Sequence, residues 1–468
     1  MEILRNLTYP QMLQIISGKS LRKPSAFHSR NKLNYGQSKV LSRHHTYFID
    51  KRRSLEKQLA DIRRVRPHTI IIPSEWSPRL LSALPFDSGV IAVPHPYRAF
   101  FQLAKWSYQH YNPYVFGISG SAGKSTTTAM ITGMLANRAP LIRTIDNLNT
   151  LYYLPWYISR VGSQHRYLVL EMGMKSRGNI RAQCKITKPH VAAITNVGEA
   201  HAGALGGIQQ ITLAKQELLE GIRKNGIIFL NADDPGTRRL SIKQCPGKIY
   251  TFGIKNPATI RAKNVHYTTT GMIFSVIFEG QTYPFRLSVY GLHNVYNALA
   301  AIGMGFVAHV NVKKMQHTLA NFRSPRMRLQ FLLGRRGELL INDAWNANPP
   351  ALLAGLDVLA NVGGKRFKIA VLGDMLELGT LTQIGHARAG AKVAKLSIDY
   401  LIAVGRYGPI IARSAIQNGF PISRVLVVRN GQAIVNKIRQ LPSHSIIYFK
   451  ASRALHFENI VRQLRKPS

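Results

Sequence analysis

The sequence predicts an α/β fold with two successive parallel sheets. From residue 113 onward, continuous apolar segments alternate with helical patterns, and a second series of the same kind begins at about residue 323. Strands that are apolar on both faces and separated by helices are typical of parallel sheets covered by helices on both sides. We therefore predict three domains, at 1–112, 113–322 and 323–468, of which the second is doubly wound and the third is Rossmann-like.

The first 112 residues contain four predicted elements. Residues 11–18 form an amphipathic helix that ends at a glycine, and residues 97–111 form a longer helix. Residues 68–73 and 89–94 are short apolar strands, each closed by a proline. The segment 19–66 is basic and weakly patterned, so no element is predicted there.

The remaining strands follow the alternating pattern. The first of them leads into a glycine-rich turn and a helix that begins at about Lys124. In chain order the predicted strands are 114–119, 167–173, 190–198, 226–234, 339–345, 367–374, 400–405, 425–428 and 446–450.

Charge is the most unusual feature of the composition. The 468 residues include 63 Lys and Arg against 21 Asp and Glu, which gives a net charge of +42. Such a charge attracts anions over long range. The basic residues are spread along the whole chain without a Lys/Arg tail, which is more typical of a basic surface than of a nucleic-acid-binding arm.

The acidic residues are scarce, so their positions are informative. Eight of them lie in the motifs described below, and turns and helix caps explain some of these, among them Asp233 and Asp234. The eight are Glu171, Glu199, Glu217, Asp233, Asp234, Asp343, Asp374 and Glu377.

Several protein classes are excluded. Two cysteines are too few for a disulfide scaffold or a four-cysteine zinc site. No apolar run reaches the roughly 18 residues of a membrane span, and the first residues do not have the pattern of a signal peptide. We expect a cytoplasmic protein.

Residues 120–127, GSAGKSTT, form a candidate phosphate-binding loop. Glycines allow backbone N–H groups to approach phosphates, and the start of the following helix adds partial positive charge. Lys124 would neutralise the β- and γ-phosphates, and the Ser125 hydroxyl would face Mg²⁺. The strict pattern G-x-x-x-x-G-K-[ST] is not met, because Ile118 occupies its first position.

This shorter loop resembles that of the Mur ligase superfamily, whose members are ATP-dependent enzymes that join an amine to a carboxylate. Further segments resemble the MurF branch in the same order along nearly the whole chain. They are LTYPQMLQIISG at 7–18, TNVGEAH at 195–201, NADD at 231–234, GLHNVYNA at 291–298, NDAWNANP at 342–349, LGDMLELG at 372–379 and KASR at 450–453.

The resemblance implies a two-step reaction with Mg²⁺. ATP phosphorylates a carboxylate to an acyl phosphate, and an amine then displaces the phosphate. Lys124 and Ser125 would hold the phosphates, while Glu171 and His201 would bind metal ions together with Ser125. Lys215, in A-K-Q-E, matches a lysine that relatives convert to a carbamate with CO₂; a solvated helix lysine is the alternative interpretation.

The resemblance also implies binding residues. For the nucleotide, Asn297 would contact adenine, Asp343 the ribose and Arg328 the phosphates. The complete implied nucleotide set is Gly120, Gly123, Lys124, Ser125, Thr126, Asn297, Arg328, Asp343 and Asn346. The implied substrate set is Asn147, Asn149, Asn348, Lys450 and Arg453.

The chain departs from the family pattern at several positions. Met327 precedes Arg328 where the family has glycine, Asp146 stands in place of the Gly of GNLNN, and Ala451 replaces the Gly of KGSR. In the N-terminal region, Ser42-Arg43 follows Leu41 in place of an acid, and the other uridine-domain motifs are not recognisable. Basic residues 51–53 could hold a diphosphate by charge.

Four functions follow as hypotheses. The first is a ligase that adds D-Ala-D-Ala to UDP-MurNAc-tripeptide in peptidoglycan precursor synthesis, acting as a monomer without a specific nucleic acid. The second is a MurF-like amide ligase of another pathway with another acidic substrate. A nucleic-acid-stimulated P-loop NTPase and a non-catalytic scaffold are the others. No helicase motif supports the third, and intact Lys124, Glu171, His201 and Asp343 oppose the fourth.

Overall fold

The computed structural model describes residues 7–24, 32–36, 41–136, 138–145, 148–198, 207–376 and 378–466. These residues form three sheets, one within each of the three ranges predicted from the sequence. Among them, no helix is long and apolar enough to cross a membrane.

The first sheet has five strands in the order β1-β5-β4-β3-β2. All neighbours are parallel except β1, which pairs antiparallel with β5. The strands are β1 Lys19–Arg22, β2 Lys32–Tyr35, β3 His45–Phe48, β4 Thr69–Pro73 and β5 Gly89–Val93. The α-helices of this region are Tyr9–Ile16, Leu55–Val65, Ser77–Leu80 and Pro96–Tyr111.

The second sheet has nine strands in the order β14-β13-β12-β11-β10-β9-β6-β8-β7. Its strands are β6 Tyr114–Ser119, β7 Leu141–Arg143, β8 Tyr167–Glu171, β9 Val191–Ile194, β10 Ile227–Asn231, β11 Lys248–Gly253, β12 Ile260–Thr268, β13 Gly271–Phe278 and β14 Gln281–Leu287. Its helices are Lys124–Leu135, Leu154–Ile158, Asn179–Thr187, Ile208–Glu220, Leu292–Val307 and Val312–Ala320. The pairs β12–β13 and β13–β14 are antiparallel, and Pro284 lies within the edge strand β14.

The third sheet has six strands in the order β15-β16-β20-β17-β18-β19, antiparallel only between β15 and β16. The strands are β15 Gln330–Leu333, β16 Leu339–Asn342, β17 Lys368–Leu372, β18 Tyr400–Val404, β19 Val425–Val428 and β20 Ile446–Lys450. The helices are Pro349–Val362, Thr382–Ala394, Gly408–Gln417, Gly431–Gln440 and Phe457–Leu464. Apolar clusters pack on both faces of this sheet.

The predicted α/β class is confirmed, with antiparallel strands as an addition. The first helix begins at Tyr9 rather than at residue 11, because Thr8 and Gln11 cap each other's backbone N–H groups. It ends at Ile16, and Ser17 rather than Gly18 adopts the left-handed conformation, with φ of 49°.

The chain divides into two compact units, and only the strands of the second sheet are shared between them. One unit comprises residues 1–116, 135–172 and 182–189, and the other comprises 117–134, 173–181 and 190–468. The phosphate loop and the entire third sheet belong to the second unit, so their geometry is described within it.

Candidate nucleotide-binding site

The loop between β6 and the helix Lys124–Leu135 has the geometry of a phosphate cradle. Lys124 begins the helix, and its Nζ donates a hydrogen bond of 2.7 Å to the Gly120 carbonyl, so the side chain folds back over the loop. Ser125 and the buried Thr126 complete the first turn. The start of a helix offers N–H groups and partial positive charge to an anion. The loop is therefore arranged to receive phosphate oxygens.

Residues 195–198 hold this loop in place. The Ala122 amide donates to Asn196 Oδ1 at 2.9 Å, and Asn196 Nδ2 donates to the Ala122 carbonyl at 3.1 Å. Thr195 Oγ1 donates to the same carbonyl at 2.5 Å. Ser121 Oγ exchanges hydrogen bonds of 2.9 Å with the Gly198 backbone. The sequence analysis gave Thr195 and Asn196 no role. Their position as a polar pair directly after a buried strand could have indicated one.

Two glycines of the loop are required by its shape. Gly120 has φ of 149°, and a Cβ there would meet Thr195 Oγ1 at 1.9 Å. Gly123 has φ of 82°, and a Cβ there would meet Asn297 Oδ1 at 2.2 Å. Both backbone conformation and space exclude other residues. The buried Asn297, predicted to contact adenine, thus lies directly against the phosphate loop.

The helix Leu292–Val307 has side chains near both the phosphate loop and the third sheet. Asn297 Nδ2 donates to Asn294 Oδ1 at 3.1 Å, one turn closer to the start of the helix. His293 lies near Asp343 and Lys450, and burial lowers its pKa to about 4, so its imidazole is neutral at pH 7. Neither Asn294 nor His293 was given a role from the sequence.

Asp343 and Lys450 form a buried ion pair. Lys450 Nζ donates to Asp343 Oδ2 at 2.6 Å, and the two side chains are 3% and 8% exposed respectively. The Tyr448 hydroxyl donates to the same oxygen at 3.1 Å, and the Leu329 amide donates to Oδ1 at 3.1 Å. Burial lowers the pKa of Lys450, and the Asp343 carboxylate opposes this effect. The sequence assigned the two residues to different ligands, whereas the structure brings them together.

The loop that carries Arg328 keeps a left-handed backbone without glycine. Met327 has φ of 60° and Leu329 has φ of 45°. The Met327 carbonyl accepts from the Trp345 amide at 3.2 Å, and its sulfur lies 3.8 Å from Arg453 Nη1. These contacts hold methionine in the conformation that glycine adopts more readily.

The two asparagines of the 342–349 motif bond to local backbone. Asn348 caps the helix Pro349–Val362 by accepting from the Ala351 amide at 3.0 Å. Asn346 is exposed, and its Oδ1 accepts from the Ala347 amide at 2.9 Å.

Arg453 lies three residues after β20, at the start of a short 3₁₀ helix. Its guanidinium pairs with Glu458 at 2.6 Å and lies 5.5 Å from the centre of the Trp345 ring. About half of the side chain is exposed.

Lys215 is a buried lysine in the helix Ile208–Glu220, not a solvated one. It is 3% exposed, and burial together with the Lys124 charge lowers its pKa well below the usual value, while Asp234 acts in the opposite direction. The neighbouring Glu217 accepts from the Gly178 and Arg181 amides at 2.6 and 3.0 Å. Burial therefore favours the neutral amine of Lys215.

Glu171 and Asn149 meet in the other compact unit. Glu171 ends β8, is 4% exposed, and its Oε1 accepts from Asn149 Nδ2 at 2.7 Å. The Glu171 amide donates to Thr144 Oγ1 at 3.0 Å. The structure thus places a buried carboxylate at the carboxyl end of a parallel strand, where ligand sites of α/β sheets form.

Two predicted site residues, Asn147 and His201, lie outside the described residues. Within the described ranges, the structure contains no group of three or more His, Cys, Asp or Glu side chains placed to hold a metal ion.

Other acidic side chains stabilise turns at strand ends. Asp233 accepts from the amides of residues 254, 255 and 256, and Asp234 accepts from the Val197 and Thr237 amides. Asp374 accepts from the amides of Arg406 and Tyr407. The expectation that Asp233 and Asp234 stabilise backbone fits this geometry.

The basic residues 51–53 each face a carboxylate. Lys51 pairs with Glu75 at 2.7 Å, and Arg52 and Arg53 pair with Asp50 at 3.0 and 3.7 Å. Three positive charges thus face two negative ones, which leaves a net charge of +1 at this place.

Two family models match most of the chain. The Mur ligase middle domain matches residues 118–305, and the Mur ligase glutamate ligase domain matches residues 327–453. The UDP-N-acetylmuramoyl-tripeptide–D-alanyl-D-alanine ligase of Bacillus subtilis is 32% identical over 381 residues, covering 81% of this chain and 82% of the relative.

The chain belongs to the Mur ligase family.

Further relatives agree with this assignment. The Escherichia coli ligase of the same name is 28% identical over 392 residues, covering 83% of this Mur ligase and 85% of the relative. A crystal structure of MurF from Acinetobacter baumannii matches with a TM-score of 0.85 and 24% identity over 98% of both chains. MurF from Thermotoga maritima in complex with ADP matches with a TM-score of 0.79 and 22% identity, covering 92% and 96%. The three-domain Mur ligase architecture predicted from the sequence is confirmed.

Proposed function

We propose that this Mur ligase joins D-Ala-D-Ala to the terminal carboxylate of UDP-MurNAc-tripeptide at the expense of ATP, the MurF reaction of peptidoglycan precursor synthesis. It is an ATP-dependent ligase that forms a C–N bond. The relatives from Bacillus subtilis and Escherichia coli carry the name of this activity, and the chain covers more than four fifths of each.

One structural observation carries the proposal. A single helix, Leu292–Val307, presents Asn297 to the phosphate loop and His293 to the Asp343–Lys450 pair. The phosphate loop and the buried Asp343 carboxylate therefore lie at the two ends of one short path. A nucleotide bound along this path would span the second and third sheets.

The roles of the chain's own residues follow from their positions. Lys124 and the loop amides would neutralise the transferred phosphoryl group, which is the main requirement of phosphoryl transfer. Asp343 would accept hydrogen bonds from the ribose, and Asn297 would contact adenine. Arg328, beside the Asp343–Lys450 pair, would reach the phosphates.

We also propose Mg²⁺, on the family pattern and on the chemistry of the individual residues in it. The Ser125 hydroxyl and the Glu171 carboxylate offer the hard oxygen ligands that Mg²⁺ prefers, and Glu171 is buried at a strand end. His201 belongs to the same proposed set. When bound, Mg²⁺ would neutralise negative charge on the phosphates.

Carbamylation of Lys215 is a further part of the proposal. The neutral amine would attack CO₂, forming an N–C bond and releasing one proton, and the product would be an anion that could face a metal ion. The lowered pKa of Lys215 supports this, because only the neutral amine reacts. We expect a carbamate ¹³C signal after incubation with ¹³CO₂, and its loss in Lys215→Met.

The substrate-binding residues are proposed from the family pattern. Asn147 and Asn149 would contact the substrate, and Asn149 is hydrogen-bonded to the buried Glu171. Asn348, Lys450 and Arg453 complete the proposed set. Arg453 retains about half of its exposure for an acidic ligand.

Three further points remain proposals. The domains are 1–112, 113–322 and 323–468, as supported by the one sheet in each range, and limited proteolysis near residues 112 and 322 would test them. We also propose a monomer without a specific nucleic-acid partner. The cytoplasmic location stays a prediction.

The deciding experiment measures ATP-dependent phosphate release with pairs of substrates. UDP-MurNAc-tripeptide and D-Ala-D-Ala together should release phosphate and yield the pentapeptide product by mass spectrometry. Release should be absent when either substrate is omitted. Turnover with another carboxylate and amine, but not with this pair, would favour the alternative of a MurF-like amide ligase from another pathway.

A further inference from the structure

Residues 83–88 form a loop that holds a phenylalanine in solvent. Phe86 is 80% exposed, the highest exposure among the large apolar side chains of the described residues. Leu84, two residues earlier, is buried in the core at 5%. The loop therefore has an inward anchor and an outward apolar tip.

Arginine side chains brace this loop from both sides. Arg63 Nε donates to the Ala83 carbonyl at 3.2 Å. Arg22 Nε donates to the Ser88 carbonyl at 2.9 Å, and its Nη2 donates to the Pro85 carbonyl at 2.8 Å. These bonds fix the backbone on both sides of Phe86, so the exposed ring is held outward rather than left on a loose segment.

Two more arginines converge on Asp87, the residue after the tip. Arg43 Nη2 and Arg66 Nη1 lie 3.7 and 3.8 Å from Asp87 Oδ2, and both arginines are more than half exposed. Four arginines against one aspartate leave a net charge of +3 around the tip. Arg22, Arg63 and Arg66 also line a concavity of about 300 Å³ beside Phe86.

We infer that this surface, Phe86 with Arg22, Arg43, Arg63 and Arg66, docks on an anionic phospholipid bilayer. An apolar tip surrounded by cations is the arrangement that inserts at a lipid interface while the cations meet the phosphate headgroups. The net charge of +42 adds long-range attraction to such a membrane. Arginine provides several N–H donors, and those not used by the loop carbonyls suit phosphate oxygens.

A single projecting ring favours a bilayer over a nucleic acid. Single-stranded nucleic acids bind along basic grooves with successive aromatic side chains on which bases stack. Here the arginines cluster around a single exposed phenylalanine, and they do not line an extended groove.

The test uses the full chain and unilamellar vesicles of phosphatidylcholine, with and without 30 mol% phosphatidylglycerol. We expect sedimentation with the anionic vesicles only. Because total charge alone attracts the protein, the informative comparison is between variants. Phe86→Ala should weaken binding about tenfold, whereas Ile422→Ala, at a residue that is 74% exposed elsewhere, should not.

A second part of the test removes two positive charges near Phe86. Arg63→Gln with Arg66→Gln should weaken vesicle binding about thirtyfold, at roughly 1 kcal/mol for each arginine. Arg424→Gln with Arg429→Gln, which removes equal charge from exposed positions elsewhere, should weaken it much less. ATP-dependent ligation measured without vesicles should be unchanged in Phe86→Ala.

Insertion of the tip is measured directly with Phe86→Trp. Its fluorescence should shift to shorter wavelength with anionic vesicles and be quenched by brominated acyl chains. Equal vesicle binding by Phe86→Ala and Ile422→Ala, or no quenching, would overturn the proposal. Binding of a single-stranded oligonucleotide that Phe86→Ala abolishes, without vesicle binding, would overturn it in favour of a nucleic-acid surface.

Discussion

Asp50 in the first sheet region and Asp343 in the third are both buried carboxylates, but their cations differ. Each accepts from a tyrosine hydroxyl at 3.1 Å, Tyr35 in one case and Tyr448 in the other. The cations of Asp50 are Arg52 and Arg53, which are 61% and 51% exposed. The cation of Asp343 is Lys450, which is 3% exposed.

The difference in exposure decides how much each cation depends on its carboxylate for stabilisation. Arginines that remain in water keep most of their hydration, so losing the carboxylate costs them little. Lys450 has lost its hydration, and its charge is compensated chiefly by Asp343. Removing one member of the buried Asp343–Lys450 pair should therefore lower the stability of the protein more than removing Asp50.

The largest expected effect is on stability. Asp343→Ala leaves Lys450 buried without its carboxylate and should lower the free energy of unfolding by about 3–5 kcal/mol. Asp50→Ala should cost less, because its arginines rehydrate. Urea denaturation followed by circular dichroism measures both, and equal losses would contradict the comparison.

A double variant serves as the control for this prediction. Asp343→Ala with Lys450→Met removes both charges, and replacing a buried pair by apolar residues is often nearly neutral. The double variant should therefore be more stable than Asp343→Ala alone.

The next effect is on catalysis. Lys124→Ala removes the cation nearest the phosphate loop and should reduce acyl-phosphate formation by about 10²–10³-fold, with the fold intact. Phosphate release measures the loss, and Lys313→Ala, at an exposed lysine of another helix, is the control. Near-normal ligation by Lys124→Ala would refute the assigned role.

A smaller effect depends on pH. Burial lowers the pKa of His293 from an ordinary 6.5 to about 4. Below pH 6.5 the unfolded chain takes up a proton that the folded chain accepts only near pH 4, so this residue's contribution is complete above pH 6.5 and is lost as the pH falls toward 4. In His293→Gln, the difference in unfolding free energy between pH 7 and pH 4.5 should shrink by about 1 kcal/mol.

The expected change of about 1 kcal/mol is smaller than the pKa shift alone would give, because water screens the partly exposed imidazole of His293. An unchanged pH dependence in His293→Gln would show that burial does not disfavour the protonated imidazole.

The smallest effect concerns the first sheet region. Lys51 and Arg53 already face Glu75 and Asp50, so replacing both with glutamine should change KM for UDP-MurNAc-tripeptide less than about threefold. Measuring KM at low and high salt gives the answer. A large, salt-sensitive rise in KM would support the interpretation that residues 51–53 hold the diphosphate by charge.

Sequence reasoning located the buried parallel strands well. Tyr114–Ser119 and Ile446–Lys450 have the predicted bounds, because a strand covered on both faces is apolar throughout. Val425–Val428 also has the predicted bounds, although it is a partly exposed edge strand. Sequence reasoning missed β1 to β3, β7, β11 and β15 as well as the antiparallel strands β12 to β14. These strands are short or mix exposed and buried residues, so no continuous apolar run marks them.

The candidate site was predictable where a motif has a local mechanism. Gly120, Gly123 and Lys124 follow from one strand–turn–helix signature. The pairing of Asp343 with Lys450 did not follow, because residues 107 positions apart meet only through the parallel neighbours β16 and β20. The burial of Lys215 was likewise invisible, since a helical lysine in so basic a chain is usually solvated.

Pro284 in β14 has a consequence for encounters between copies of this chain. The strand is at the edge of its sheet, and an open edge is a template for pairing with another chain. Proline supplies no N–H, and its carbonyl accepts from Gln316 Nε2 at 2.7 Å. Neither backbone group of this residue is left to recruit a second strand, so the middle of the edge opposes fibril-like growth even where the backbone is otherwise extended.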